Sequence, residues 1–167
     1  MAEGSRYMMP LKRRRKGKTD YRQRLKLLKS GKVRAVVRPS NKHITVQFIR
    51  FDRDGDIVEA SASSEHIMEE GWEGHGSNLP AAYLVGYLAG KRALNKGIDE
   101  AVLDIGLNHP EKGGKLFSAL NGMIDAGISV PHDPDILPDE GRIRGEHIDD
   151  DTPELFDEVK SRLEELS

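Results

Sequence analysis

The chain has 167 residues, 37% hydrophobic and 32% charged, which is enough apolar material for one ordinary core with tails. It contains no cysteine, so a disulfide framework and a thiolate metal site are excluded, as befits a reducing interior. The formal net charge of -2 hides an asymmetry: residues 1–50 carry 16 Lys or Arg against 2 acids, whereas residues 51–167 carry 10 against 26.

That separation points to nucleic acid or an anionic membrane surface as the partner of the N-terminal third, while the acidic remainder argues against general adhesion to polyanions. No hydrophobic run reaches the roughly 18 residues of a bilayer span, and none follows the N-terminal charges as a signal peptide would require. A soluble cytoplasmic protein is expected.

Residues 1–18 have no apolar periodicity, and Pro10 interrupts any helix. Lys12–Lys18 reads KRRRKGK, six cations in seven residues. Burying any of these unpaired is too costly for a folded core, so an extended basic arm is expected, disordered when free. A helix should follow, capped by Thr19 or Asp20, with Tyr21, Leu25 and Leu28 as its apolar stripe and Gly31 as its stop. Arg22, Arg24, Lys26 and Lys29 give it a wide cationic face.

Alternation then predicts strands. Val33, Ala35 and Val37 oppose Arg34, Val36 and Arg38; after the turn Pro39-Ser40-Asn41-Lys42, Ile44, Val46 and Phe48 oppose Thr45 and Gln47. Asp54-Gly55 is a hairpin signal before a third strand, Ile57 to Ala62. A short helix is expected near Ile67 and Met68. The clearest helix is Leu79 to Leu94, capped by Asn78 and begun by Pro80, with a small-residue stripe of Ala82, Gly86, Gly90 and Ala93. Glu100–Ile105 reads as a buried strand, Lys115–Ala126 as a helix, and Ile128–Val130 as a last strand.

The fold class predicted is therefore α/β: an antiparallel three-strand meander extended by βαβ-type crossovers into one mixed sheet packed with helices, plus the basic arm. The expected organisation is an RNA-binding arm (1–18), an α/β body (19–131) and an acidic C-terminal segment with helices (132–167). In the last of these, Leu155, Phe156, Val159, Leu163 and Leu166 share one face and can dock on the body or on a partner.

The cations continue from the arm into folded elements at Arg22, Arg24, Lys26, Arg34, Arg38, Lys42 and Arg50, whereas a localisation tag would stop at the cluster. Tyr21, Ser40, Asn41 and Gln47 add hydrogen-bonding groups suited to phosphates, 2'-hydroxyls or base edges. A membrane surface fits less well, because no Trp, Phe or Leu interleaves the arm as an anchor. A metal-dependent nuclease would need Asp20, Asp52, Asp104 and Asp125 to converge, and no pair has a diagnostic spacing. The six histidines are scattered, and Gly113-Gly114-Lys115 lacks full P-loop spacing. No catalytic residue, metal site or cofactor is assigned.

Arg6-Tyr7, the run KRRRKGKTDYRQRLKLLKSGK, the turn Arg38-Pro39-Ser40-Asn41-Lys42, the helix NLPAAYLVGYLAGKRA and the strand AVLDIGLN together resemble the archaeal form of the 5S-rRNA-binding protein of the large ribosomal subunit. This is the universal ribosomal protein eighteen family, whose eukaryotic members are called protein five. The resemblance spans about residues 6–148. It implies a non-catalytic protein of the central protuberance that holds 5S rRNA against the large-subunit rRNA, beside neighbouring large-subunit proteins. Carried over by position, it implies RNA contacts at Arg6, Tyr7, Lys12, Arg13, Arg14, Arg15, Lys16 and Lys18 in the arm. Beyond the arm it implies contacts at Thr19, Tyr21, Arg22, Arg24, Arg34, Arg38, Ser40, Asn41 and Lys42. The long C-terminal extension of the eukaryotic pattern is lacking. A free-standing RNA-binding or RNA-chaperone protein is the alternative within the same chemistry, distinguished by whether the protein sediments with the large subunit.

Overall fold

The computed structural model describes Gly4 and residues 7–165. Its centre is a four-stranded mixed sheet of order β3-β2-β1-β4, with β1 (Val33–Pro39), β2 (Ile44–Arg50), β3 (Ile57–Ser63) and β4 (Ala101–Asp104). The first three strands form the expected antiparallel meander, and β4 joins β1 in parallel, with Val33 opposite Ala101 and Val36 opposite Asp104.

The strand period of two separates the sheet into unlike faces. Ala35, Val37, Ile44, Val46, Phe48, Ala60 and Ala62 are buried beneath helices. The opposite face carries Arg34, Val36, Arg38, Thr45, Gln47, Ser61, Ser63 and Asp104, in rows set by the register. Arg38 lies across from Thr45 and then Ser63, and Val36 across from Gln47 and then Ser61.

The helices covering the apolar face are α3 (Ser64–Glu69), α4 (Leu79–Leu94) and α5 (Lys115–Asp125). Asn78 caps α4 by accepting the Ala81 N–H at 2.9 Å, as its sequence signal required. The small-residue stripe of α4 meets α5 backbone to backbone. A Cβ at Gly86 would strike the Ala119 carbonyl, and one at Gly122 would strike the Tyr83 carbonyl, so both glycines are required by close approach.

After a 3-10 turn at Pro134–Ile136 come α6 (Glu140–Arg144) and α7 (Thr152–Glu165). Phe156, Val159 and Leu163 of α7 are buried in the common core, so the acidic helix docks on the body; Leu166 lies outside the described residues. The Tyr83 hydroxyl donates to Asp125 at 2.6 Å and its ring packs against Phe156 with centroids 5.3 Å apart. Lys160 of α7 sits over the Tyr83 and Tyr87 rings. Burial, then the Asp125 carboxylate, pushes the Tyr83 hydroxyl well above the usual phenol range.

Two local expectations are corrected. Ile128–Val130 forms no strand: only a parallel bridge between Glu100 and Ser129 is made, because Pro131 has no N–H with which to extend the ladder. The arm is not wholly extended either. Lys12–Arg15 wind into one helical turn, α1, in keeping with the good intrinsic helix propensity of Lys and Arg.

Candidate nucleic-acid interface

The basic segment does not hang free of the body. After α1 the chain reverses at Lys16-Gly17-Lys18, with the Lys18 N–H bonded to the Arg13 carbonyl at 2.9 Å and the Arg13 Nε donating to Thr19 Oγ1 at 2.9 Å. Asp20 then caps α2 (Tyr21–Leu28), accepting the N–H groups of Arg22 at 2.8 Å and Gln23 at 3.2 Å. The predicted apolar stripe of α2 does not enter the core. No residue of α2 is buried, and Leu25 is 56% exposed.

This helix and the Phe51–Asp56 loop form the walls of a cleft of about 540 Å³ that opens beside the polar face of the sheet. Its lining combines cations (Arg13, Lys18, Arg24, Arg34, Arg38 and Arg53) and four aspartates (Asp20, Asp52, Asp56 and Asp104) with Tyr21, Gln23 and the half-exposed Phe51. Such a mixture offers phosphate partners, amide hydrogen bonds and ring faces in one concavity.

At the cleft floor a chain of alternating charges crosses α2, the β2–β3 loop, β1 and β4. Arg24 Nη2 lies 2.9 Å from both carboxylate oxygens of Asp56, which also accepts Arg34 Nη2 at 2.6 Å. Arg34 Nη1 reaches Asp104 Oδ2 at 2.8 Å, and Arg38 Nη2 reaches Asp104 Oδ1 at 2.9 Å. Arg38 Nη1 further donates to the carbonyls of Val37 at 2.8 Å and Asp104 at 2.6 Å.

The consequence differs along the row. Arg34 is only 3% exposed, so its guanidinium is spent inside the protein, whereas Arg38 keeps 43% of its side chain in solvent and can meet an outside anion as well. Burial alone would raise the Asp104 carboxyl, yet Arg38, Arg34 and the Gly106 N–H together hold it below the usual carboxylate range. Gly106 adopts φ +64, and a Cβ there would crowd the Arg38 guanidinium.

A second polar locus is the β1–β2 turn. Ser40 closes it by accepting the His43 N–H at 3.0 Å and donating to the His43 carbonyl at 2.9 Å, leaving Asn41 and Lys42 exposed at the tip. Ser77 Oγ donates to the Ser40 carbonyl at 2.7 Å and accepts Lys115 Nζ at 3.2 Å. Lys115, read in sequence only as part of a Gly-Gly-Lys helix start, thus braces this turn.

Among the expected contact residues, Lys12, Arg13, Arg14, Arg15, Lys16, Lys18 and Arg22 are exposed, as is Tyr7, while Thr19, Tyr21 and Arg24 are half-buried around the cleft. Arg6 lies outside the described residues. Of the four aspartates weighed for a nuclease, Asp20, Asp52 and Asp104 line the cleft and Asp125 does not, and each has another partner: Asp20 caps α2, Asp52 accepts the Asp54 N–H, Asp104 binds arginines and Asp125 binds Tyr83. Among the described residues no group of three or more His, Asp or Glu is placed to hold a metal.

Sequence comparison gives the family. The family model for "Ribosomal large subunit proteins 60S L5, and 50S L18" matches residues 5–101 and 96–133. The chain belongs to this family. It is 57% identical to large ribosomal subunit protein uL18 of Haloquadratum walsbyi over 148 residues, covering 89% of this chain and 72% of that protein. With the uL18 proteins of Halorubrum lacusprofundi and Methanothermobacter thermautotrophicus it shares 50% and 47% identity, each over 99% of this chain and 98% and 99% of theirs. The protein is accordingly a structural constituent of the large ribosomal subunit and not an enzyme.

Proposed function

We propose that this ribosomal protein binds 5S rRNA through the arm, α2 and the polar sheet face, and helps to attach it to the large-subunit rRNA in the central protuberance. The observation that carries this reading is the placement of the cations: the exposed Lys12–Lys18 run folds back onto Thr19 and opens directly into the cleft beside Arg24 and Arg38. Exposed cations placed in this way suit an RNA backbone running from the arm across the sheet. Thr45, Gln47, Ser61 and Ser63 supply neutral donors and acceptors that can meet 2'-hydroxyls.

In this reading the acidic α7 face lies away from RNA and keeps the body from adhering to it nonspecifically. Competition gel shifts provide the test. Labelled 5S rRNA bound to the full chain should resist a large molar excess of tRNA and yield to unlabelled 5S rRNA. Equal competition by both would reduce the protein to a general polyanion binder and contradict the proposal.

A further inference from the structure

A cleft built to receive a polyanion ordinarily excludes carboxylates, yet four aspartates line this one. Asp20 caps α2 and Asp52 accepts the Asp54 N–H, which leaves Asp56 and Asp104 as the two that bind arginines. Asp104 is buried and belongs to the body. Asp56 differs, because it comes from the exposed β2–β3 loop and its side chain is 25% exposed.

Its partners show what it holds. Among the described residues, the bonds from Arg24 to Asp56 are the only side-chain hydrogen bonds that leave α2 for the body. No residue of α2 is fully buried, and its apolar residues Tyr21, Leu27 and Leu28 are only half-buried, so apolar packing fixes its orientation only in part. Asp56 simultaneously grips Arg34, which is fixed in the sheet by Asp104. One carboxylate therefore ties Arg24, on a helix without buried residues, to a cation anchored in the sheet, and through Asp20, Thr19 and Arg13 the orientation of α2 is passed on to α1.

We propose that Asp56 is a positioning residue for RNA binding: it docks α2 on the sheet and pre-orients the basic arm, so that this negative charge raises RNA affinity. The inference rests on the 5S rRNA reading above and adds to it a sign that net charge cannot supply. Removing an anion from a basic cleft should strengthen RNA binding if only the summed field matters. Removing a pre-organising clamp should weaken it, since the ordering of α2 must then be met during binding.

The test is a double-mutant cycle on the full chain with transcribed 5S rRNA, comparing the parent, Asp56→Asn, Arg24→Gln and the pair. Asp56→Asn should bind roughly threefold to tenfold more weakly, in the lower part of the range for directly coupled side chains. Its salt slope should stay unsteepened, and the loss should largely vanish in the Arg24→Gln background. In the free protein, trypsin should cut faster after Arg22, Arg24 and Lys26 in Asp56→Asn, while the body stays folded because Asp104 still holds Arg34. Asp56→Glu, which keeps the charge, should recover part of the affinity.

Asp56→Asn binding as tightly as the parent, or more tightly, would overturn the proposal; so would an undiminished loss in the Arg24→Gln background, which would mark a general structural defect. A variant with Lys12–Lys18 neutralised separates the two levels. If that variant binds weakly while Asp56→Asn binds normally, the RNA reading stands and the positioning role falls. If it binds like the parent, the RNA reading itself fails, and the positioning role with it.

Discussion

Asp104 sits where two arginines of one strand converge, and it is the residue on which the sheet side of the cleft depends. With its side chain 8% exposed and both oxygens bonded to guanidinium groups, it neutralises charge that Arg34 could not otherwise keep inside. Asp104→Asn should therefore destabilise the fold by about 3 kcal/mol, the order seen when one partner of a buried pair is removed. The sign of its pH dependence follows from the depressed carboxyl. Its contribution is fully present above the ordinary aspartate value near 3.9, and is lost as pH falls through the lower value of the folded state. Urea denaturation should show a parent-to-variant gap that is constant from pH 7 to about pH 5 and closes in stronger acid. A gap that widened in acid would contradict the pairing. Lys42 offers the contrasting case of a charge the fold does not need. Lys42→Gln should leave the melting temperature nearly unchanged and weaken 5S rRNA binding by about 1 kcal/mol, one charge-assisted phosphate bond.

At the scale of elements, the junction of α4 and α5 is the least forgiving part of the body. Gly86 and Gly122 each face opposing backbone, so a methyl has no flexible neighbour to displace. Gly122→Ala should cost about 2 kcal/mol and lower Tm by roughly 4–8 °C, measured by thermal unfolding. The docking of α7 is tested separately: Phe156→Ala removes a buried ring that touches Tyr83 and should cost about 3–5 kcal/mol in chemical denaturation. Most of these elements were legible in the sequence, because their signals are local. Asn78-Leu79-Pro80 declared the start of α4, Asp20 that of α2, and period-two alternation the meander. What failed was non-local. The stripe of α2 looks amphipathic whether or not a core exists to receive it, and Pro131 stopped Ile128–Val130 from becoming a strand although its composition suits one. The partners of Arg34 and Arg38 could not be read either, since they depend on the parallel register of β1 with β4 and on the reach of the Phe51–Asp56 loop.

Across the whole molecule, charge is sorted in space as it is in sequence. The cationic run, α2 and the cleft occupy the polar-face side of the sheet, whereas the acidic α7 packs with α4 on the helical side. Such sorting lets one face neutralise phosphate while the other stays hydrated and repels it. The central claim, that the arm and cleft together form the 5S rRNA surface, is tested most directly by the salt dependence of binding. The equilibrium constant for transcribed 5S rRNA should be measured from low to moderate salt for the full chain and for a variant with Lys12, Arg13, Arg14, Arg15, Lys16 and Lys18 all changed to Gln. The variant should bind more weakly and show a log–log salt slope shallower by about 2–5, since every phosphate that the arm neutralises adds nearly one unit to the slope. Equal affinity and equal slope for the two proteins would contradict the claim.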